Sequence, residues 1–322
     1  MLSRRLIRIK AFKTLFAYIG SESDNVGSAQ KALLESCDKV RDLYYFMLNI
    51  SSSLVRVAEE KIAVGMRKFH PTEAEAHPNY KFVHNRFAAL LSDDPEFGRI
   101  CQKRGLGWGE YEPFVRHVYN SMVTKEYYQQ YMDSGEDSFE EDCRLFSCIF
   151  EDEFEDNDEL ESILEDMSLL WIDDLAFALN AVIAGIDETR RKKRIVHPNT
   201  FLKEDDKEFA LRLLTESILR YDEYFKLLEE HLDNWNSDRL VSTDATLIVM
   251  GVTEAVVFPT IPIKVTINEY VEIAKYYSTP NSRIFVNGIL DRLIQEKVKS
   301  GEIVKQGRGL FEQYSIIKTI TK

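Results

Sequence analysis

The chain has 322 residues, 44% of them hydrophobic, and a formal net charge of −13. That length implies two domain-sized units, or one core with a large insertion. Only 14 Gly and 8 Pro stand against 19 Phe and 15 Tyr, which excludes a collagenous, low-complexity or many-stranded all-β chain. No run reaches the roughly 18 to 20 apolar residues of a membrane-spanning helix. The opening Met1-Leu2-Ser3-Arg4-Arg5 lacks the apolar core and cleavage site of a leader, so a soluble, cytoplasmic protein is expected. Cys37, Cys101, Cys143 and Cys148 are too scattered for a disulfide framework and are read as reduced thiols.

The predicted elements are helical almost throughout. Leu2, Leu6, Ile9, Phe12, Phe16 and Ile19 recur at helical spacing, predicting a helix over Ser3 to Ile19 with Ser3 as N-cap and Gly20 as stop. Its cations, Arg4, Arg5, Arg8, Lys10 and Lys13, border the apolar stripe, and the first 13 residues hold no acid. Val26 to Phe69 reads as two long helices. His70-Pro71 to His77-Pro78 is a break, because each proline removes a helix donor and pushes its predecessor toward extended geometry. A helix follows over Phe82 to Leu91, then a looser stretch from Asp93 to Pro113 containing Gly105-Leu-Gly-Trp-Gly, then a helix over Phe114 to Met132.

Charge is then concentrated. Asp133 to Asp166 carries 16 Asp and Glu with Arg144 as its one cation, so this stretch holds −15 and the remainder of the chain +2. A solvated or partner-binding face is its expected role. Helical spacing continues over Leu160 to Glu188 and ends in the cationic run Arg190 to Arg194, where positive charge suits a helix C-terminus. Helices are predicted over Lys207 to Leu232, Thr243 to Phe258, Thr266 to Tyr276, with Thr266 able to cap, and Ser282 to Lys299. The tail from Gly301 ends in the β-prone Tyr314 to Ile320, a hairpin or a frayed extension.

Several patterns point to no chemistry. His70, His77 and His84 stand seven apart, but two prolines intervene and no Cys or carboxylate completes a metal set; Cys143 and Cys148 lack a second ligand pair. Gly105-Leu-Gly-Trp-Gly follows no strand and lacks the Lys-Thr ending of a phosphate loop, so a turn anchored by Trp108 is expected. No nucleophile elbow is present. Catalytic residues, metals and cofactors are therefore expected to be none. Asn79 to Asn85 weakly echoes Asn281 to Asn287 in spacing and order.

The densest signal lies near the end. Pro262, Lys264-Val265, Ile267-Asn268-Glu269, Glu272, Ala274-Lys275, and Phe285-Val-Asn-Gly288 with Leu290-Asp291 form one constellation. Gly288 stands inside a helical pattern, where glycine costs about 1 kcal/mol relative to alanine. At the other end, Arg4, Arg5, Arg8, Ala11, Leu15 and Phe16 form a second motif.

Together these motifs resemble the NusB family of transcription antitermination factors. The resemblance covers roughly residues 3–20 and 205–295. It implies an all-α bundle divided into a basic first helix (1–25), a helical and partly acidic insertion (26–204), the remainder of the core (205–300) and a tail (301–322). One departure is Val249, where the family carries an arginine five residues before the acid matched by Glu254.

The resemblance further implies a non-enzymatic factor that binds boxA-type single-stranded RNA of nascent ribosomal RNA leaders, pairs with the ribosomal protein NusE and acts on the transcription elongation complex. Arg4, Arg5, Arg8, Lys10, Lys13, Phe285, Asn287 and Gly288 are the implied RNA-binding residues, and Asp238 and Asp244 the implied acids facing NusE. Arginine forks suit phosphate and unpaired bases. Five phosphate contacts would give a salt slope of roughly −3 to −4. Two other readings stay open: a helical scaffold that has lost RNA binding, and an RNA methyltransferase, for which no Gly-rich strand-turn-helix follows the core.

Overall fold

A computed structural model of the chain describes residues 1–21, 24–232 and 241–310. The described residues are all-α, with fifteen α-helices and one isolated parallel bridge between Leu2 and Phe201. None of these helices is long and apolar enough to cross a membrane. The chain divides into two units: residues 38–200 with Met1 form an inserted unit, and residues 2–37 with 201–322 form a terminal unit.

In the inserted unit, α2 (Val26–Met66, of which residues from Asp38 belong here) is one helix of 41 residues where two were expected. No proline interrupts it, so nothing in the local chemistry obliges a break. After α3 (Glu73–Ala76), α4 (Arg86–Ser92) starts where Asn85 accepts from the amides of Phe87 and Ala88. α5 (Pro95–Arg104) lies inside the stretch expected to be loose. It ends at Gly105 with φ +66°, the left-handed C-cap that favours glycine. The expected helix over 114–132 is two, α6 (Glu112–Met122) and α7 (Glu126–Asp133).

The core of this unit is aromatic. Phe46 stacks on Trp108 at 4.1 Å and on Trp171 at 5.4 Å. Both buried indoles donate at 2.8 Å, to the carbonyls of Phe46 and Lys39, which meets the cost of burying a polar N–H. The acidic stretch forms α8 (Phe139–Asp152) and α9 (Asp158–Met167), whose apolar sides, among them Cys143, Phe146, Ile149, Leu160 and Leu164, are buried. Much of its charge is matched within the unit. Asp142 accepts from Arg86 at 2.7 Å and from the Tyr131 hydroxyl at 2.8 Å, Glu141 meets Lys81 at 2.9 Å, Asp152 meets Lys125 at 3.0 Å, and Glu140 pairs with Lys193. α10 (Leu175–Lys192) packs on α8 and ends at Lys193, with φ +56°.

The terminal unit is built around α13 (Ser242–Val257), in which every residue from Asp244 to Ala255 is buried, the pattern of a helix enclosed on all sides. Around it pack α1 (Arg4–Gly20), α11 (Glu204–Leu219), α12 (Tyr221–Glu230), α14 (Ile263–Tyr277) and α15 (Ser282–Lys299). The single helix expected over 207–232 breaks at Arg220 into α11 and α12. Gly251 is required by packing: a Cβ there would lie 2.7 Å from Cδ2 of Leu290 on α15. Thr266, expected as a cap, instead sits one turn inside α14, with its hydroxyl donating to Glu254 at 2.8 Å. Asn281 is the N-cap residue of α15 and Asn287 lies within that helix, whereas Asn85 caps α4, so the echo between the two segments is not structural.

After α15 the chain returns beneath α13. Lys305, 2% exposed, donates to the carbonyls of Ala255 and Phe258 at 2.7 and 3.1 Å, filling acceptors that the end of α13 leaves without helical partners. The β-prone segment from Tyr314 lies outside the described residues.

Candidate nucleic-acid interface

The basic motif sits on α1, which starts as expected: Ser3 is its N-cap and accepts from the Leu6 amide. Three elements receive its cations. Arg4 donates to Asp205 at 2.8 Å and Asp206 at 2.9 Å on α11, with its guanidinium 4.8 Å from the centre of the Phe209 ring. Arg5 grips Glu269 of α14 through two bonds of 2.8 and 2.9 Å. Arg8 turns inward to Glu254 of α13 at 2.6 and 2.9 Å, stands 3.7 Å from Glu269, and also lies over Phe209.

Glu254 is fully buried and accepts as well from Thr266 and, at 3.3 Å, from the Tyr270 hydroxyl, so four donors surround one carboxylate. The charges sustain each other. Burial lowers the Arg8 pKa, but the charge and hydrogen bonds of Glu254 outweigh it and the pKa is raised. Burial likewise pushes Glu269 up, and the Arg5 hydrogen bond with the charges of Arg8 and Arg5 holds it below its ordinary value. Val249, where the NusB pattern places an arginine, is buried in α13.

Two of the cations expected to face RNA are buried. Arg8 and Lys10 are each 3% exposed, and a guanidinium already held by two oxygens of a buried carboxylate cannot also neutralise a solvent phosphate without breaking the core. Arg4 and Arg5 remain on the surface, their side chains 34% and 53% exposed, each in an ion pair. Lys13 is half-buried and lies 5.1 Å from the centre of the Tyr277 ring.

Tyr277 was not among the residues expected to contribute, although Lys275-Tyr276-Tyr277 just before a turn was a readable signal. It ends α14, touches Phe12 at 5.9 Å between ring centres, and brings the first helix to the turn that opens α15. α1 and α14 thus keep one register, since Arg5 with Glu269 and Lys13 with Tyr277 are both 264 residues apart. Beyond the turn, Arg283, Ile284, Asn287 and Gly288 form an exposed strip on α15, while Phe285 is half-buried. No atom lies within 4 Å of where a Cβ on Gly288 would be, so the fold itself does not demand glycine there.

Asp244 also differs from expectation. It is 4% exposed and accepts from Ser278 at 2.6 Å and Ser282 at 2.7 Å, which anchors the α14–α15 turn to the start of α13. A carboxylate so enclosed cannot present itself to a partner. Asp238 lies outside the described residues. Among the described residues, no group of His, Cys, Asp or Glu stands together as a metal site; His70 and His84 pack on the rings of Phe69 and Tyr80.

Comparison with known proteins bears on this arrangement. The NusB family model matches residues 175–295, from the start of α10 into α15, and so begins ahead of the boundary at 205 and leaves out α1. A transcription antitermination protein NusB of Alkaliphilus oremlandii is 30% identical over 96 residues, 30% of this chain and 70% of that relative. The chain belongs to the NusB family. Proteins of the same name from Salinibacter ruber and Thermodesulfovibrio yellowstonii are 39% and 40% identical, over 32% and 29% of this chain. The match spans 65% and 62% of those two NusB relatives' own length. No solved structure gives a significant match.

Proposed function

We propose that this NusB-family chain is an RNA-binding transcription antitermination factor that pairs with the ribosomal protein NusE and recognises boxA-type RNA. The observation that carries the reading is the surface where α1 meets the turn into α15: Lys13 beside Tyr277, then Arg283, Asn287 and the unforced Gly288. Cations supply phosphate contacts, an aromatic ring supplies a stacking face for an unpaired base, the Asn287 amide can read a base edge, and glycine permits close approach. Arg4 and Arg5 extend the surface along α1. Phe285 backs the strip, and Arg8 and Lys10 support it from within.

With Arg8 and Lys10 withdrawn, three cations of α1 remain for phosphate, and the salt slope they contribute is roughly −2 rather than −3 to −4. Titration of a boxA-like RNA with NusE present, at two salt concentrations, tests this. Arg5→Ala with Lys13→Ala should weaken binding across sequences and flatten the slope by about one unit or more. Binding that is independent of salt, or a slope unchanged by the pair, refutes the surface.

A second reading, a helical protein-interaction scaffold without RNA binding, is favoured by one observation: Arg4, Arg5 and Arg8 already hold carboxylates of Asp205, Asp206, Glu254 and Glu269. Phosphate must compete with these for Arg4 and Arg5. Absence of RNA binding even with NusE present selects the scaffold.

A further inference from the structure

The inserted unit carries a cleft unrelated to the basic surface. It has a volume of about 390 Å³ and lies where the end of α8, the turn into α9 and the first turns of α10 meet. Its floor is apolar. Leu175, Leu179 and Ile183 follow one another at four-residue spacing along α10, a stripe about 12 Å long, or two helical turns. The apolar surface continues onto the preceding connection, where Ile172 is 46% and Leu169 77% exposed.

The rim is carboxylate. Glu151, Glu155, Asp156 and Glu161, all exposed, surround the floor together with Asp173, and no Lys or Arg lines the cleft. Elsewhere in the acidic stretch, Asp137, Glu140, Glu141, Asp142 and Asp152 are each matched by a cation of this unit. Among the described residues, Glu151, Glu155, Asp156 and Glu161 take part in no ion pair.

We propose that this cleft is a docking site for a basic amphipathic helix of a partner protein. Charge complementarity selects the occupant. Apolar side chains at i and i+4 would lie along the Leu175–Ile183 stripe, and flanking Lys or Arg would meet the four carboxylates. A nucleic acid is repelled by the same rim, and an acidic or uncharged helix would leave the carboxylates without partners. The inference is independent of the RNA-binding reading, since the residues lining the cleft lie between 150 and 183 and none of them belongs to the proposed RNA surface.

A fluorescent peptide of Leu and Lys arranged at helical spacing, with a sequence-scrambled peptide of the same composition as control, tests the proposal by anisotropy on the full chain. The patterned peptide should bind saturably and about tenfold or more tighter than the scramble. Ala176→Lys, at an exposed helical position on the edge of the floor, and Glu151→Lys with Glu155→Lys on the rim should each weaken it by about tenfold, with helix content by circular dichroism unchanged. Equal binding of the two peptides, or wild-type affinity in both variants, overturns the proposal. So does a dimer that Ala176→Lys converts to monomer, because the cleft would then belong to a second copy of this chain.

Discussion

Replacing Arg8 by methionine isolates the interaction that ties α1 to α13. Glu254 is buried to zero exposure and takes bonds of 2.6 and 2.9 Å from Arg8, with 2.8 Å from Thr266 and 3.3 Å from Tyr270. Methionine keeps the apolar stem and removes the charge, leaving two weak neutral donors to hold a dehydrated carboxylate. Breaking a buried pair from one side costs about 3–5 kcal/mol, most of it the penalty on the charge left behind. Arg8→Met with Glu254→Leu removes both charges and should recover most of the loss. Because the chain has two units, global unfolding is not a clean readout. Hydrogen exchange of the α13 and α14 amides reads the terminal unit locally, and a loss of about 3 kcal/mol accelerates it roughly a hundredfold. Loss below about 1 kcal/mol in the single variant, or a double variant no more protected than the single, would refute the reasoning.

Three further outcomes are expected. Glu269 has its folded-state pKa held below the ordinary 4.5, so its contribution to stability is present above that value and is lost as pH falls through the lowered one; Glu269→Gln should remove that part of the acid-side slope in a pH series of urea midpoints. Burial lowers the Lys305 pKa to about 8, against the pull of Glu254. Between about 8 and 10.5 the unfolded chain therefore holds a proton that the folded chain has released, and stability rises with pH across that window; Lys305→Met should flatten the rise. Asp244→Ala removes the acceptor of two serine hydroxyls and should cost about 1.5–3 kcal/mol, seen as faster exchange through residues 278–286, while an unchanged exchange pattern would show that the turn holds without it.

Helical periodicity and punctuation were legible without coordinates. Ser3 and Gly20 bound α1, α15 runs over Ser282–Lys299 as expected, and the all-α class followed from apolar residues recurring at helical spacing along the chain. These are local properties: a cap needs only a side chain within three residues, and a stripe needs only spacing. The motif near the C-terminus also carried family membership, because it records residue identity rather than contact; it lies within residues 175–295 that the family model matches, whereas the motif on α1 lies outside them. Segmentation was less legible. α2 runs through a stretch expected to hold two helices, and α11 and α12 divide at Arg220, an ordinary helix former. Intrinsic propensities, which differ by less than about 1 kcal/mol per residue among such residues, are too weak to fix where helices divide.

Which cations face water was decided by the tertiary structure alone. Arg4, Arg5 and Arg8 are equivalent as sequence, and only the approach of α11, α13 and α14 sends Arg8 to Glu254, 246 residues away, while Arg5 stays outside with Glu269. The inward fate of Asp244 has the same origin, since its two serine donors sit 34 and 38 residues further on. Charge and spacing state what a side chain can do. Burial, which requires elements distant along the chain to close around it, determines which of those interactions it makes.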